Sequence, residues 1–173
     1  MLDLYCMHLI ILDSFMSKYT KYKDVEGFVK KFDKNLLDKF DEPARNKLKQ
    51  VLGEILIDNP NVYGADFLIN KETCISKYKY LEVQVCSQWV GDIYPYKNLY
   101  IYARKFTYDN DTLFITLDRE LTEGYLFDLA TIRENKPRRF KKYSREFVYD
   151  IPWHRAVHVY MDNVDKMTFE MLH

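Results

Sequence analysis

The apolar residues change period near residue 60, and that change restricts the fold more than any other feature of the chain. Before it the spacing is helical. Val25, Phe28, Val29, Phe32, Leu36, Leu37 and Phe40 recur on one face, with Asp24 placed as an N-cap. Asp41-Glu42-Pro43 is expected to break this helix and start another, since Pro43 suits a first turn. Leu48, Val51, Leu52, Ile55 and Leu56 give the next apolar stripe, and Asn59-Pro60-Asn61 is expected to end it. Residues 2–15 are apolar enough for a first, buried helix. They lack a basic region ahead of them and a small-residue cleavage site after them, so they do not read as a signal segment.

Beyond residue 60 the period becomes that of strands. Residues 62–69 are short and apolar. Residues 78–86 alternate, with Leu81, Val83 and Val85 facing one way and Glu82, Gln84 and Cys86 the other. Residues 99–106 are rich in Tyr and read as a third strand, and residues 113–117 as a fourth. Residues 124–132 are ambiguous, residues 147–151 read as a strand, and residues 153–160 as strand or helix. Helices followed by strands predict an α+β (mixed α/β) fold with a mostly antiparallel or mixed sheet. The 173 residues fit a single domain, helical over 1–60 and sheet-rich over 61–160.

Composition narrows the function. The 26 Lys and Arg balance the 26 Asp and Glu, which excludes a globally basic nucleic-acid-coating protein but not a local patch. No run of about 18 apolar residues is present, so no membrane-spanning helix is expected. The three cysteines are odd in number and lack CxxC spacing, which fits a reducing compartment and a cytoplasmic location. No phosphate-binding Gly loop, nucleophile elbow or HExxH occurs, so NTPase, Rossmann, serine-hydrolase and zincin chemistries fall away.

One constellation carries chemistry. Glu54 stands at the end of the second apolar helix, Asp66 on the following strand, and Glu82 and Gln84 on one side of the strand after that. If the two strands pair, Asp66 lies near Glu82. Acidic side chains on one side of a sheet, with Phe67, Ile69, Leu81 and Val83 behind them, can hold a hard cation such as Mg²⁺. Such a cation can activate water and stabilise charge on phosphate. The competing reading is the solvated face of an ordinary half-buried sheet.

This stretch, from Gly53-Glu54 through Ala65-Asp66 to Leu81-Glu82-Val83-Gln84-Val85, resembles the PD-(D/E)xK nuclease superfamily. The resemblance spans residues 43 to about 106. It implies a restriction-endonuclease-like core and a nuclease acting on phosphodiesters with Mg²⁺ or Mn²⁺. It further implies Asp66 and Glu82 as metal ligands and Glu54 as an auxiliary acid. Gln84 stands where the family usually carries Lys, although some restriction-endonuclease branches carry Gln there. Lys97 or Lys105 could supply the missing cation from a neighbouring element.

Residues 136–145 hold six basic residues and no acidic one: Lys136, Arg138, Arg139, Lys141, Lys142 and Arg145. Such a cluster binds phosphate backbones, and the interleaved Phe140 and Tyr143 could stack on bases; a solvated loop is the alternative. His154 and His158, four apart, have a spacing that can hold zinc or simply lie at the surface. Tyr94, Tyr96, Tyr100 and Tyr102 read first as sheet packing. The expected partner is nucleic acid, DNA ahead of RNA, with no membrane and with a homodimer as an option. The alternative to a nuclease is a non-catalytic nucleic-acid-binding or assembly module that keeps the fold with a decayed site.

Overall fold

A computed structural model describes residues 34–61, 64–133, 136–140, 147–170 and 172. The helix expected over residues 2–15 and the start of the one expected over 25–40 lie outside these. The described chain begins with α1 (Lys34–Leu36), a π-helical turn (Leu37–Asp41) and α2 (Glu42–Leu52). The chain is not broken at Asp41-Glu42-Pro43, because Asp41 and Glu42 both keep right-handed helical dihedrals, but a new α-helix does start there with Pro43 in its first turn, as expected. Pro43 has no N–H to give and its ring would clash with a carbonyl four residues back. The wider π turn, in which Glu42 N–H donates to the Leu37 carbonyl, carries the helix past that obstacle.

Helix α2 stops at Gly53, whose positive φ of 50° is a backbone conformation that glycine adopts at little cost. A 3₁₀ turn (Gly53–Ile55) leads directly into β1 (Leu56–Asp58). The single helix read across residues 48–56 is therefore a helix and a strand. Ile55 and Leu56 are buried as its apolar stripe required, but in a turn and a strand.

The remaining strands are β2 (Phe67–Ile69), β3 (Tyr80–Val85), β4 (Leu99–Tyr102), β5 (Thr112–Leu117), β6 (Glu123–Asp128), β7 (Arg138–Arg139), β8 (Phe147–Ile151) and β9 (Val157–Tyr160). Residues 103–107, expected to continue a strand, form a 3₁₀ turn instead. Two short helices, α3 (Leu129–Arg133) and α4 (Lys166–Glu170), complete the set. The fold is α+β. Among the described residues a mixed sheet of order β1-β2-β3-β5-β6-β9 is antiparallel at every step except the β3–β5 pair. A smaller antiparallel sheet runs β4-β8-β7.

The larger sheet is covered on both faces. One face packs Leu81, Val83, Leu113, Ile115 and Leu117 against Ala44, Leu48 and Leu52 of α2 and Phe169 of α4. The other packs Phe114 and Phe127 against Leu99, Ile101 and Ile151 of the smaller sheet. This layering explains why all six residues of β5 are buried. It also settles the environment of Glu82 and Gln84, which face the second layer and not solvent.

Candidate functional site

Strand β3 sets the geometry. Leu81, Val83 and Val85 join the helix-side core, so Glu82 and Gln84 project to the opposite side, as alternation demands. They are 5% and 8% exposed, which removes the solvated-face reading. Phe67 pairs with Leu81 and Leu68 with Tyr80 in the antiparallel β2–β3 ladder. Continuing that register by one residue sets Asp66 opposite Glu82. The two carboxylates line one cleft of about 190 Å³, together with a third acid, Asp41, and with Arg45, Gln84, Tyr102, Arg104 and Lys105.

Each acid is held by named donors. Asp66 Oδ2 accepts the Val83 N–H at 2.9 Å, and Asp66 Oδ1 accepts from Arg45 Nη1 at 3.2 Å. Arg45 comes from α2, where it also reaches Asp58 of β1 at 3.4 Å, while Lys49 one turn later meets Asp58 at 2.6 Å. Glu82 is ion-paired with Lys105, whose ammonium also lies 3.4 Å from the Val83 carbonyl. Burial pushes the Glu82 carboxyl up to about 8; Lys105 opposes that shift and the Asp66 charge adds to it. Two carboxylates that compete in this way share one electrostatic site.

Gln84 donates its amide Nε2 to the Tyr100 carbonyl at 3.1 Å, which ties β3 to β4 of the other layer. Lys105 arrives from the 3₁₀ turn after β4. Arg104 stacks over the Tyr102 ring at 4.3 Å beside it. Asp66, Glu82, Gln84 and Lys105 are thus brought together. Lys97 is exposed and is not part of the cleft. Glu54 lies exposed in the 3₁₀ turn after Gly53 and does not line the cleft either. Its backbone carbonyl anchors the next loop through Asn70 and Thr73 at 3.0 and 3.1 Å.

Among the described residues no three His, Cys, Asp or Glu side chains are grouped as a metal cage. Mg²⁺ does not need one: it commonly takes one or two carboxylates, keeps several waters and uses substrate phosphate for the rest. The donor set here is all oxygen, two carboxylates and the amide of Gln84, and so fits a hard cation by its chemistry. Sequence reasoning missed Arg45. Its only signal is the i, i+4 pair with Lys49 on a face that meets Asp58.

In the basic segment, Arg138 is exposed and ion-paired within the chain, with Nε and Nη2 each 2.6 Å from an Asp150 oxygen. Arg139 stacks over Phe147 at 5.8 Å, and Lys136 is exposed. Lys141, Lys142, Tyr143 and Arg145 lie outside the described residues. Phe140 is not available for base stacking: it is 5% exposed and packs on Tyr100 with ring centroids 4.7 Å apart. Tyr94, Tyr96, Tyr100 and Tyr102 form a chain of edge-on ring contacts, as the packing reading expected. His158 pairs with Glu123 at 2.5 Å and stacks on Tyr125, while His154 sits apart on a 3₁₀ turn.

Neither a protein-family model nor a curated protein matches the chain. Among the described residues no helix is long and apolar enough to cross a membrane.

Proposed function

We propose that the chain is a metal-dependent nuclease that hydrolyses phosphodiester bonds of DNA, with Asp66 and Glu82 as the ligands of Mg²⁺ or Mn²⁺. The observation that carries the reading is the meeting of three groups from separate elements: Asp66 beside β2, Glu82 on β3 and Lys105 from the turn after β4, all lining one cleft. A cation held there supplies positive charge to a phosphoryl oxygen and makes bound water acidic. The protein's own groups do the positioning. The Val83 N–H and Arg45 fix the Asp66 carboxylate, which leaves it little freedom to rotate. Lys105 brings the positive charge that Gln84 lacks, and a buried cation stabilises charge developing on phosphate more strongly than a solvated one. Arg104, whose guanidinium lies over the Tyr102 ring, brings a second cation to the lining of the same cleft. The resemblance to PD-(D/E)xK nucleases supports the same assignment, with the motif lysine displaced to position 105.

A second reading has its own support. Arg45 and Lys105 pair with the two acids, so the cluster also reads as a self-satisfied ion network in a non-catalytic nucleic-acid-binding or assembly module. Cleavage of single- and double-stranded DNA in Mg²⁺ or Mn²⁺, by wild type and by Asp66→Ala, separates the two. The nuclease reading expects metal-dependent cleavage by wild type and its loss in the variant. Equal cleavage by both, or none by wild type, favours the module.

A further inference from the structure

Gln84 is anchored at one end only. The Tyr100 carbonyl can only accept a hydrogen bond, so the Gln84 –NH₂ must face it, as it does at 3.1 Å. That fixes the carbonyl end of the amide away from β4. Oε1 has no hydrogen-bond partner among the described residues, on a side chain that is 8% exposed and lines the cleft of Asp66 and Glu82. Buried acceptors are nearly always paired, so an orphan of this kind asks for a ligand. Thr116, the register partner of Gln84 on β5, does not answer it, because the buried Thr116 hydroxyl likewise has no partner among the described residues.

We infer that the Gln84 carbonyl oxygen is a third protein ligand to the divalent cation, alongside Asp66 and Glu82; this rests on the metal-site reading above. Glu82 and Gln84 are two apart on one strand, so both side chains leave β3 toward the same side. An amide oxygen is a neutral hard donor of the kind Mg²⁺, Mn²⁺ and Ca²⁺ accept. A lysine at position 84 could not serve in this way. The substitution that looks like a lost cation in the sequence is then a gained ligand, and Lys105 carries the charge.

Two measurements on the full chain test this. The sequence has three glutamines, Gln50, Gln84 and Gln88, so selective ¹³C labelling of Gln gives three side-chain carbonyl signals. Gln50 and Gln88 are exposed and act as internal references. On adding Mg²⁺ alone, the Gln84 signal is expected to shift and saturate while the other two stay put. In parallel, Mn²⁺ affinity of a folded Gln84→Met variant, which keeps the length but loses the oxygen, is expected to fall at least about tenfold. Ion binding by wild type with an unmoved Gln84 signal, or unchanged affinity in Gln84→Met, overturns this inference and leaves Asp66 and Glu82 as ligands. No ion binding by wild type overturns the metal-site reading and this inference with it.

Discussion

Glu82 and Lys105 are 6% and 12% exposed at the side chain, so their ion pair is almost wholly out of water. Removing one partner of a buried pair leaves the other unpaired in the core, as a bare charge or as a carboxyl forced to stay protonated, and costs up to about 3–5 kcal/mol. Lys105→Met is therefore expected to destabilise the fold by roughly that amount, and Glu82→Gln added to it is expected to restore part of the loss. Urea denaturation of the two single variants and the double variant measures the coupling. Additive losses would mean that the two side chains do not depend on one another. Much of this pairing is legible in the sequence. Alternation along β3 places Glu82 and Gln84 together, and Lys105 is one of two lysines in reach. The orphan oxygen of Gln84 is not legible, since it depends on which carbonyl of another layer meets the amide.

Among the elements, α3 depends on one side chain. Asp128 ends β6 and caps α3, accepting from the Thr131 N–H at 3.0 Å and Oγ1 at 2.7 Å, and it also takes the Tyr78 hydroxyl at 2.9 Å. Burial raises its pKa, but the bonds from Thr131 and Tyr78 and the nearby Lys77 outweigh that and hold it below the ordinary 3.8. A depressed native pKa contributes stability above the unfolded value, which is lost as pH falls through the native one. Asp128→Asn is expected to cost about 1–2 kcal/mol at neutral pH. The gap to wild type should narrow as the pH drops below 3.8, and denaturation midpoints at neutral and acid pH check it. A gap that does not change with pH would mean the carboxylate charge plays no part.

The elements also show where periodicity misleads. Leu48, Val51, Leu52, Ile55 and Leu56 fit one helical stripe because Ile55 and Leu56 are buried in the same core as α2. Burial hides the strand there, and Gly53 is the one residue that marks the end of the helix. At Pro43 the opposite happens: a breaker is absorbed by a π turn, and the helical path continues through it. Strands β3, β5 and β8 are readable because each keeps a strand-like pattern over five or six residues. Lys105 falls outside the strand expected for it, yet reaches the site through the turn that replaces that strand.

At the scale of the whole molecule, balanced charge means that the proposed nucleic-acid binding would rest on local features. Arg138 is neutralised by Asp150, so the basic segment presents less free charge than its sequence suggests. Lys141→Ala with Lys142→Ala is expected to flatten the dependence of log affinity on log salt by roughly 0.9 for each duplex phosphate that the variant no longer neutralises. Arg138→Ala is expected to change stability more than that slope. An unaltered slope in the Lys141 and Lys142 variant would take this segment out of the interface.

Asp66 and Glu82 are proposed to hold one cation in the cleft they share. Calorimetric titration of Mn²⁺ into wild type and into a folded Asp66→Ala variant tests it most directly. Saturable binding to wild type that disappears in the variant is the expected result. Wild type that takes up no ion, or a variant that binds as wild type does, would contradict the site.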